Sequence, residues 1–141
     1  MQTTPRQGDW LVLYGSLMRG LGAMDELGIS GRLRFVGPCL CPGELYDLGP
    51  YPGLRPGAAH VVAELFALLD DSVITVLDQF EGFDPKAPHS SLYIRERVEL
   101  IEPAATEAWI YVYNHVPEAH ERVPSGDWRA QLADRDGRRR A

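Results

Sequence analysis

The stretch Trp10-Leu11-Val12-Leu13-Tyr14-Gly15-Ser16-Leu17 is an apolar run that ends in a glycine turn. Its first part, Trp10 to Leu13, is a short continuous apolar segment bounded by turn residues, which is typical of a buried β-strand. Tyr14 to Leu17 predict a turn whose free main-chain N–H groups can point at an oxygen atom of a ligand. The stretch therefore predicts a buried strand that ends in an anion-binding turn.

The segment from Asp70 to Gly82 predicts an amphipathic helix. Its apolar residues recur at helical spacing and define one face: Val73, Val76, Leu77 and Phe80. Asp70, Asp71 and Ser72 supply capping signals before the helix. Gly82 supplies the stop, because a residue without a Cβ atom readily takes the left-handed conformation that ends helices.

Glu81 lies in the last turn of this predicted helix, at the edge of the apolar face, four residues after Leu77. One interpretation is a solvated glutamate whose stem covers the core while its carboxylate reaches water. The other is a half-buried acid/base. Burial against Leu77 and Phe80, together with the negative end of the helix dipole, raises a carboxyl pKa toward neutrality, as proton transfer requires. The segment alone leaves both interpretations open.

Six segments occur in a fixed order between Trp10 and Trp128. They are Tyr14-Gly15-Ser16-Leu17 with Arg19-Gly20, Tyr51-Pro52-Gly53-Leu54, Leu77-Asp78-Gln79-Phe80-Glu81-Gly82, Tyr93-Ile94-Arg95, Trp109-Ile110-Tyr111-Val112-Tyr113 and Ser125-Gly126-Asp127-Trp128. In this order the chain resembles the gamma-glutamylcyclotransferase-like superfamily, and within it the AIG2-like, gamma-glutamylamine cyclotransferase-type branch. Each segment is common by itself, and the shared order and spacing carry the resemblance.

The resemblance implies a reaction as well as a fold. The α-amine of a γ-glutamyl group attacks its own γ-carbonyl, which releases 5-oxoproline and a free amine or amino acid. In this reaction Glu81 is the implied general acid/base, and Tyr14, Gly15, Ser16 and Leu17 are the implied substrate-binding residues. The turn would hold either the oxyanion or a substrate carboxylate, and the sequence does not choose between the two.

Two other functions fit the same residues: a non-catalytic barrel that binds a small molecule, and a related amide- or amine-processing enzyme on the same fold. An acid at the apolar edge of a helix favours an enzyme, because its desolvation costs free energy unless chemistry uses the acid. The leaving amine stays open among an amino acid, the ε-amine of lysine, a polyamine and cysteinyl-glycine.

Alternating apolar and polar residues predict antiparallel strands in several segments: Leu33 to Phe35, around Leu45, Val61 to Leu69, Ile94 to Leu100 and Trp109 to Tyr113. A second, short helix is predicted from Leu21 to Leu27. The expected fold class is α+β, a small mixed, mostly antiparallel β-barrel with a few flanking helices. Pro42 to Gly57, rich in proline and glycine, predicts a long loop that walls a pocket.

Three side chains near the predicted site are open to other interpretations. Arg95 alternates with Arg97 and Glu99, which predicts an outward ladder of charges and no catalytic role for Arg95. Tyr14 is equally well a core residue or a pocket wall. Ser16 is expected to bond its own main chain, as serine does in many turns.

The length of 141 residues suits one domain. We place it at residues 10–130, between a disordered N-terminal segment, residues 1–9, and a flexible basic tail, residues 131–141. The net charge of −6 argues against a nucleic-acid partner. No apolar stretch resembles a secretory signal or a membrane span, so a cytoplasmic location is expected. The expected partner is a small γ-glutamyl substrate, and the oligomeric state is not predicted.

Cofactor and metal signals are weak throughout the sequence. Cys39 and Cys41 lie in a Cys-x-Cys spacing that suits neither a bridge between them nor a zinc site, so both are expected to be buried thiols. The histidines show no metal-ligand spacing, and the first glycine turn is neither a dinucleotide fingerprint nor a P-loop. No cofactor and no metal are expected.

Overall fold

The computed structural model of the protein describes residues 4–140, with side chains up to residue 137. Its six strands are β1 (Trp10–Leu13), β2 (Leu33–Asp47), β3 (Pro52–Leu68), β4 (Tyr93–Glu99), β5 (Glu107–Tyr113) and β6 (Arg122–Val123). Its α-helices are α1 (Ala23–Glu26), α2 (Val73–Glu81) and α3 (Trp128–Arg140), and short 3₁₀ turns occupy Ser30–Arg32, Pro88–Ser90 and Ala119–Glu121. Residues 1–3 of the predicted N-terminal segment and residue 141 of the predicted tail lie outside the described residues.

The strands form one sheet in the order β4-β5-β1-β3-β2-β6. Strand β1 lies in its interior, parallel to β5 and antiparallel to β3. This position explains the apolar run, because a strand with neighbours on both sides and packing on both faces is apolar throughout. The α+β class with a mostly antiparallel sheet is confirmed. In the described part of the chain the edge strands β4 and β6 do not pair, so the sheet is open and the barrel does not close.

The predicted loop from Pro42 to Gly57 is wrong, because strands occupy most of it. Strand β2 continues to Asp47, β3 begins at Pro52, and a tight turn joins them. Pro42 and Pro52 are compatible with these strands because each lies where no main-chain N–H is needed for pairing. Pro52 begins β3, and Pro42 borders a shift in register between β2 and β3. The expectation that this segment walls a pocket is confirmed, since the turn and Pro52 line the cavity described below.

Helix α2 begins at Val73, because Asp70 caps the turn before it: its carboxylate accepts the main-chain N–H of Ser72 at 2.9 Å. The helix ends at Gly82, which has the expected left-handed conformation with φ 69° and ψ 37°. Its buried face consists of Val73, Ile74, Leu77 and Asp78.

The predicted position of Phe80 on this face is wrong, since Phe80 is 44% exposed. The buried face is rotated toward Ile74 and Asp78, because the carboxylate of Asp78 has partners inside the protein. With this rotation Glu81, four residues after Leu77 and three after Asp78, extends the same stripe. The structure thus places Glu81 at the inner edge of the helix.

Helix α3 includes most of residues 131–141, for which the sequence predicts a flexible basic tail. Trp128 at its start is buried in the core. Further along, Arg135 donates to the carboxylate of Asp47 at 2.6 Å and to the carbonyl of Gly49 at 3.0 Å. The helix therefore packs against the turn between β2 and β3.

Gly126, just before α3, has no room for a side chain. Its φ is 65°, and an added Cβ would lie 2.1 Å from the carbonyl oxygen of His60. We expect Gly126→Ala to destabilise the protein by at least about 2 kcal/mol, from left-handed strain plus displacement of β3. Urea unfolding measures this. Gly31→Ala is the matched control, because its Cβ would meet nothing within 4 Å; equal midpoints for the two variants would contradict the prediction.

Candidate active site

A cavity of about 530 Å³ opens where β1 ends, beside the last turn of α2. All five residues predicted from the sequence line it: Tyr14, Gly15, Ser16, Leu17 and Glu81. The rest of the wall comes from the β2–β3 turn, from strand residues, from helices α1, α2 and α3, and from residues just before α1 and β4: Val12, Leu13, Leu21, Ala23, Glu26, Pro50, Tyr51, Pro52, Phe80, Leu92, Tyr93, Tyr111, Trp128 and Leu132. The fold thus brings together an acid and a glycine turn that are far apart in sequence.

The turn after β1 lines the cavity and carries main-chain N–H groups that have no acceptor among the described residues. The N–H of Met18 donates to the carbonyl of Gly15 at 2.9 Å and closes the turn. Among residues 4–140, no acceptor is bonded to the N–H groups of Ser16 and Leu17, and the hydroxyl of Ser16 has no partner there either. The expected bond from Ser16 to its own main chain is therefore not formed. These donors remain available to a ligand.

Gly15 is required by close packing rather than by an unusual backbone conformation. A Cβ atom at this position would lie 2.8 Å from Cγ of Pro52. The turn after β1 therefore lies directly against the start of β3, and a larger residue would separate the two walls of the cavity.

Glu81 is half-buried and faces the cavity. Burial raises the pKa of its carboxyl to about 8, and the negative charge of Asp78 adds to this effect. The raised pKa favours the interpretation of Glu81 as a half-buried acid/base, and nothing in the sequence indicated the contribution of Asp78. A carboxyl with a pKa near 8 can both accept and return a proton at neutral pH.

Tyrosine side chains form the wall around Glu81, and their hydroxyls are bonded within the protein. Tyr14 O–H donates to the carbonyl of Tyr111 at 2.6 Å and accepts the N–H of Leu54 at 3.1 Å. Tyr93 O–H donates to the carbonyl of Pro52 at 2.6 Å. Burial, more than any nearby charge, raises the pKa of Tyr14, Tyr93 and Tyr111. Tyr14 is therefore both a core residue and a pocket wall, and Glu81 faces neutral phenols.

Asp78 and Arg95 form a buried ion pair that the sequence did not predict. The guanidinium of Arg95 contacts both carboxylate oxygens of Asp78, and Tyr111 O–H donates to Oδ1 at 2.6 Å. The expected outward position of Arg95 is wrong, since it is 9% exposed. Arg95 pairs with Tyr111 and lies two residues after buried Tyr93, so it shares the inner face of β4. This period of two was the signal available in the sequence.

A scan of the sequence identifies the family. The model of the family described as "Gamma-glutamyl cyclotransferase, AIG2-like" matches residues 11–130 of the chain. This range includes the turn, Glu81 and the start of α3. The chain belongs to the gamma-glutamyl cyclotransferase, AIG2-like family.

One protein similar to this AIG2-like chain comes from Vibrio cholerae and bears the name "Putative gamma-glutamylcyclotransferase". It is 36% identical over 84 residues, which cover 60% of this chain and 64% of the Vibrio protein. The chain thus aligns with just under two thirds of the length of this relative.

Two solved structures share the fold of this AIG2-like chain. An uncharacterized Pyrococcus horikoshii protein has a TM-score of 0.69 at 17% identity, covering 92% of this chain and 97% of the other. A mouse aig2-like protein has a TM-score of 0.66 at 21% identity, covering 87% of this chain and 89% of the other. At these identities the likeness concerns the fold alone.

A second buried carboxylate supports the site turn of this AIG2-like protein. Glu64 on β3 is 4% exposed. It accepts the main-chain N–H of Arg19 at 2.7 Å, Nε of Arg19 at 3.1 Å and Nη1 of Arg129 at 3.3 Å. Arg19 follows the turn and Arg129 belongs to α3, so Glu64 holds both at β3. The sequence signal was a single acid inside the apolar run from Val61 to Leu69.

Cys39 and Cys41 are free and buried, as expected, and burial above all raises the pKa of both thiols to about 12. Within residues 4–140, no group of three His, Cys, Asp or Glu side chains is arranged to hold a metal ion. No helix in this range is both long and apolar enough to cross a membrane.

Proposed function

We propose that the protein is a gamma-glutamyl cyclotransferase that releases 5-oxoproline and a free amine, with Glu81 as its general acid/base. One observation carries the proposal: a half-buried carboxyl with a pKa near 8 lines the same cavity as a turn with unbonded main-chain N–H groups. A proton acceptor and an anion site side by side are what acyl transfer from an amide requires.

The first step is a proton transfer. The α-ammonium of the bound γ-glutamyl group gives a proton to the Glu81 carboxylate, and the resulting amine attacks the γ-carbonyl carbon. A C–N bond forms, and the carbonyl oxygen becomes negative. The N–H groups of Ser16 and Leu17 donate to this oxygen or hold the α-carboxylate of the substrate.

The second step expels the amine. The protonated Glu81 gives its proton to the leaving nitrogen, the original amide C–N bond breaks, and the carbonyl of 5-oxoproline forms again. The carboxylate of Glu81 then takes the second proton from the ring nitrogen and passes it to the released amine, which departs as an ammonium ion. Nucleophile and electrophile belong to one substrate, so no covalent bond to the protein is needed. Holding the substrate in its ring-closing conformation contributes up to about 7–11 kcal/mol to the lowering of the barrier.

Release of 5-oxoproline tests the proposal directly. The purified protein is incubated with γ-glutamyl dipeptides, γ-glutamyl-lysine, a γ-glutamyl diamine and glutathione, and 5-oxoproline is quantified by chromatography. Release from at least one substrate is the expected result. A folded protein that binds these compounds and releases none would favour the small-molecule binding function over the enzyme.

The pH dependence of the reaction should report the raised pKa of Glu81. Only the ionised carboxylate accepts a proton, so kcat/KM is expected to rise about tenfold per pH unit below a pKa of about 8 and to level off above it. Initial rates at subsaturating substrate measure this limb. A limb centred near the ordinary glutamate pKa, about 4.3, would contradict the burial of the base.

A further inference from the structure

One residue on β3, Glu64, contacts the chain at both ends of the turn after β1. At the first end, Leu13, the last residue of β1, pairs with Glu64 across the sheet. At the second end, the main-chain N–H of Arg19 donates to Oε1 of Glu64 at 2.7 Å. The chain therefore leaves the sheet beside Glu64 and returns to the same residue, with only residues 14–18 between the two contacts.

The second contact is shielded from water and supported by further bonds. Glu64 is buried, and Nε of Arg19 also donates to its carboxylate, at 3.1 Å. Cζ of the same guanidinium lies 3.3 Å from the ring centre of Phe35 on β2. Arg129 donates to the main-chain carbonyl of Arg19. Hydrogen bonds to a buried, charged acceptor are stronger than bonds between neutral groups, so this end of the turn is firmly held.

Glu64 does not line the cavity, so its effect on a bound molecule has to pass through the turn. The unbonded N–H groups of Ser16 and Leu17 belong to the short segment that Glu64 closes. Donors of this kind act well only when they are in place before the ligand arrives. A displacement of about 1 Å at such a site costs about a hundredfold in rate. Glu64 is therefore placed to set the position of these donors.

We propose, on the basis of the proposed function, that Glu64 is a positioning residue that holds the N–H groups of Ser16 and Leu17 in place for an oxygen of the substrate. It acts through the reach of its carboxylate oxygen to the N–H of Arg19. Its negative charge is secondary, because the guanidinium groups of Arg19 and Arg129 are exposed and can turn to water when that charge is removed.

Three substitutions of Glu64 separate reach from charge. Glu64→Gln keeps an acceptor oxygen at the same distance and removes the charge. Glu64→Asp keeps the charge for both arginines and withdraws the oxygen by about 1.5 Å, the length of one C–C bond. Glu64→Met keeps most of the volume and removes both. We expect Glu64→Gln to preserve the turn, and Glu64→Asp and Glu64→Met to release it.

Binding of 5-oxoproline to the full chain is the readout, followed by NMR through the main-chain amide signals of Ser16 and Leu17. This ligand carries both oxygens that the turn could hold, a carboxylate and a ring carbonyl. Folded and unfolded molecules give separate signals, so the Kd of the folded protein does not depend on lost stability. We expect Kd to rise about tenfold to a hundredfold for Glu64→Asp and Glu64→Met, and at most about threefold for Glu64→Gln.

Glu44→Met is the matched control. Glu44 on β2 pairs with Arg122 at 3.3 Å, and neither residue lines the cavity, so Kd should not change. If Glu64→Met does not fold, Glu64→Asp decides, because it keeps the charge. Equal Kd values for all substitutions of Glu64, recovery by Glu64→Asp in place of Glu64→Gln, or no response of the two amide signals in the unchanged protein would overturn the proposal.

Turnover separates this inference from the proposed function. If 5-oxoproline binds to the variants in the expected order and the unchanged protein releases none from any γ-glutamyl substrate, the positioning role stands and the cyclotransferase activity is overturned. If the unchanged protein is active and Glu64→Met keeps the same kcat/KM, the activity stands and the positioning role is overturned.

Discussion

Glu81→Gln is expected to lower kcat by about one hundred- to ten thousand-fold, the range over which a positioned general acid/base acts. Gln has nearly the same shape as Glu and fills the same edge of α2, but its amide cannot accept a proton at neutral pH. Ligand binding should persist, because the turn and the tyrosine wall are unchanged. The measurement is 5-oxoproline release at saturating substrate, with binding followed separately by calorimetry.

The stability of this variant provides an independent check that the fold is intact. In the folded protein the pKa of Glu81 is about 8, whereas in the unfolded chain it is near the ordinary value of about 4.3. Between these values the unfolded chain binds fewer protons, so stability falls as pH rises. The substituted glutamine does not titrate, so the stability of the Glu81→Gln variant does not fall with pH for this reason. Its Tm should therefore exceed that of the unchanged protein near pH 8.

A matched control for Glu81→Gln is Glu96→Gln, which changes an exposed glutamate on β4. It should leave turnover and the pH dependence of Tm as they are. Undiminished 5-oxoproline release by Glu81→Gln would remove Glu81 from the mechanism.

Arg95→Met is expected to destabilise the protein by about 3–5 kcal/mol, because it leaves the carboxylate of Asp78 buried without its partner. Methionine keeps most of the side-chain volume, so the lost charge is the main change. The free energy of unfolding is measured in urea. Arg97→Met is the control, because Arg97 lies two residues further along β4 and is exposed. Its guanidinium lies 3.4 Å from the carboxylate of Glu107 and 5.0 Å from the ring centre of Trp109, so a change of less than about 1 kcal/mol is expected.

A double-mutant cycle assigns the effect to the ion pair. Asp78→Asn combined with Arg95→Met removes both charges, and the double variant should recover much of the stability that Arg95→Met loses. Additive losses from the two substitutions would show that Asp78 and Arg95 act independently, contrary to the contact between them.

The features that could be predicted from the sequence depend on residues close together in the chain. Short apolar and glycine patterns predicted three of these features: the strand from Trp10 to Leu13, the turn after it, and the end of α2 at Gly82. The position of Glu81 at the inner edge of α2 followed from its spacing to Leu77. The raised pKa followed from that position, because desolvation is its largest cause.

The features that could not be predicted depend on partners distant in sequence. Asp78 is buried because Arg95 and Tyr111 meet it from two strands, and Glu64 is buried because Arg19 and Arg129 approach from opposite ends of the chain. An isolated charged residue in an apolar pattern is predicted to be exposed, because burying a charge without a partner costs free energy. Only the sheet order supplies the partner. Phe80 was mispredicted for the same reason: the partners of Asp78 rotate the buried face of α2 toward Asp78 and leave Phe80 exposed.

The contact of Arg129 with Glu64 and with the carbonyl of Arg19 has a consequence for the order in which the site is assembled during synthesis. The turn at Tyr14 to Leu17 is synthesised before α2 and strands β2 to β6, whereas helix α3, which braces the turn, is synthesised after them. A nascent chain that already contains β1 and Glu81 still lacks Trp128, Arg129 and Leu132. The cavity is therefore completed only after translation of α3, and the unfinished chain would carry Glu81 without the part of the cavity wall that Trp128 and Leu132 supply.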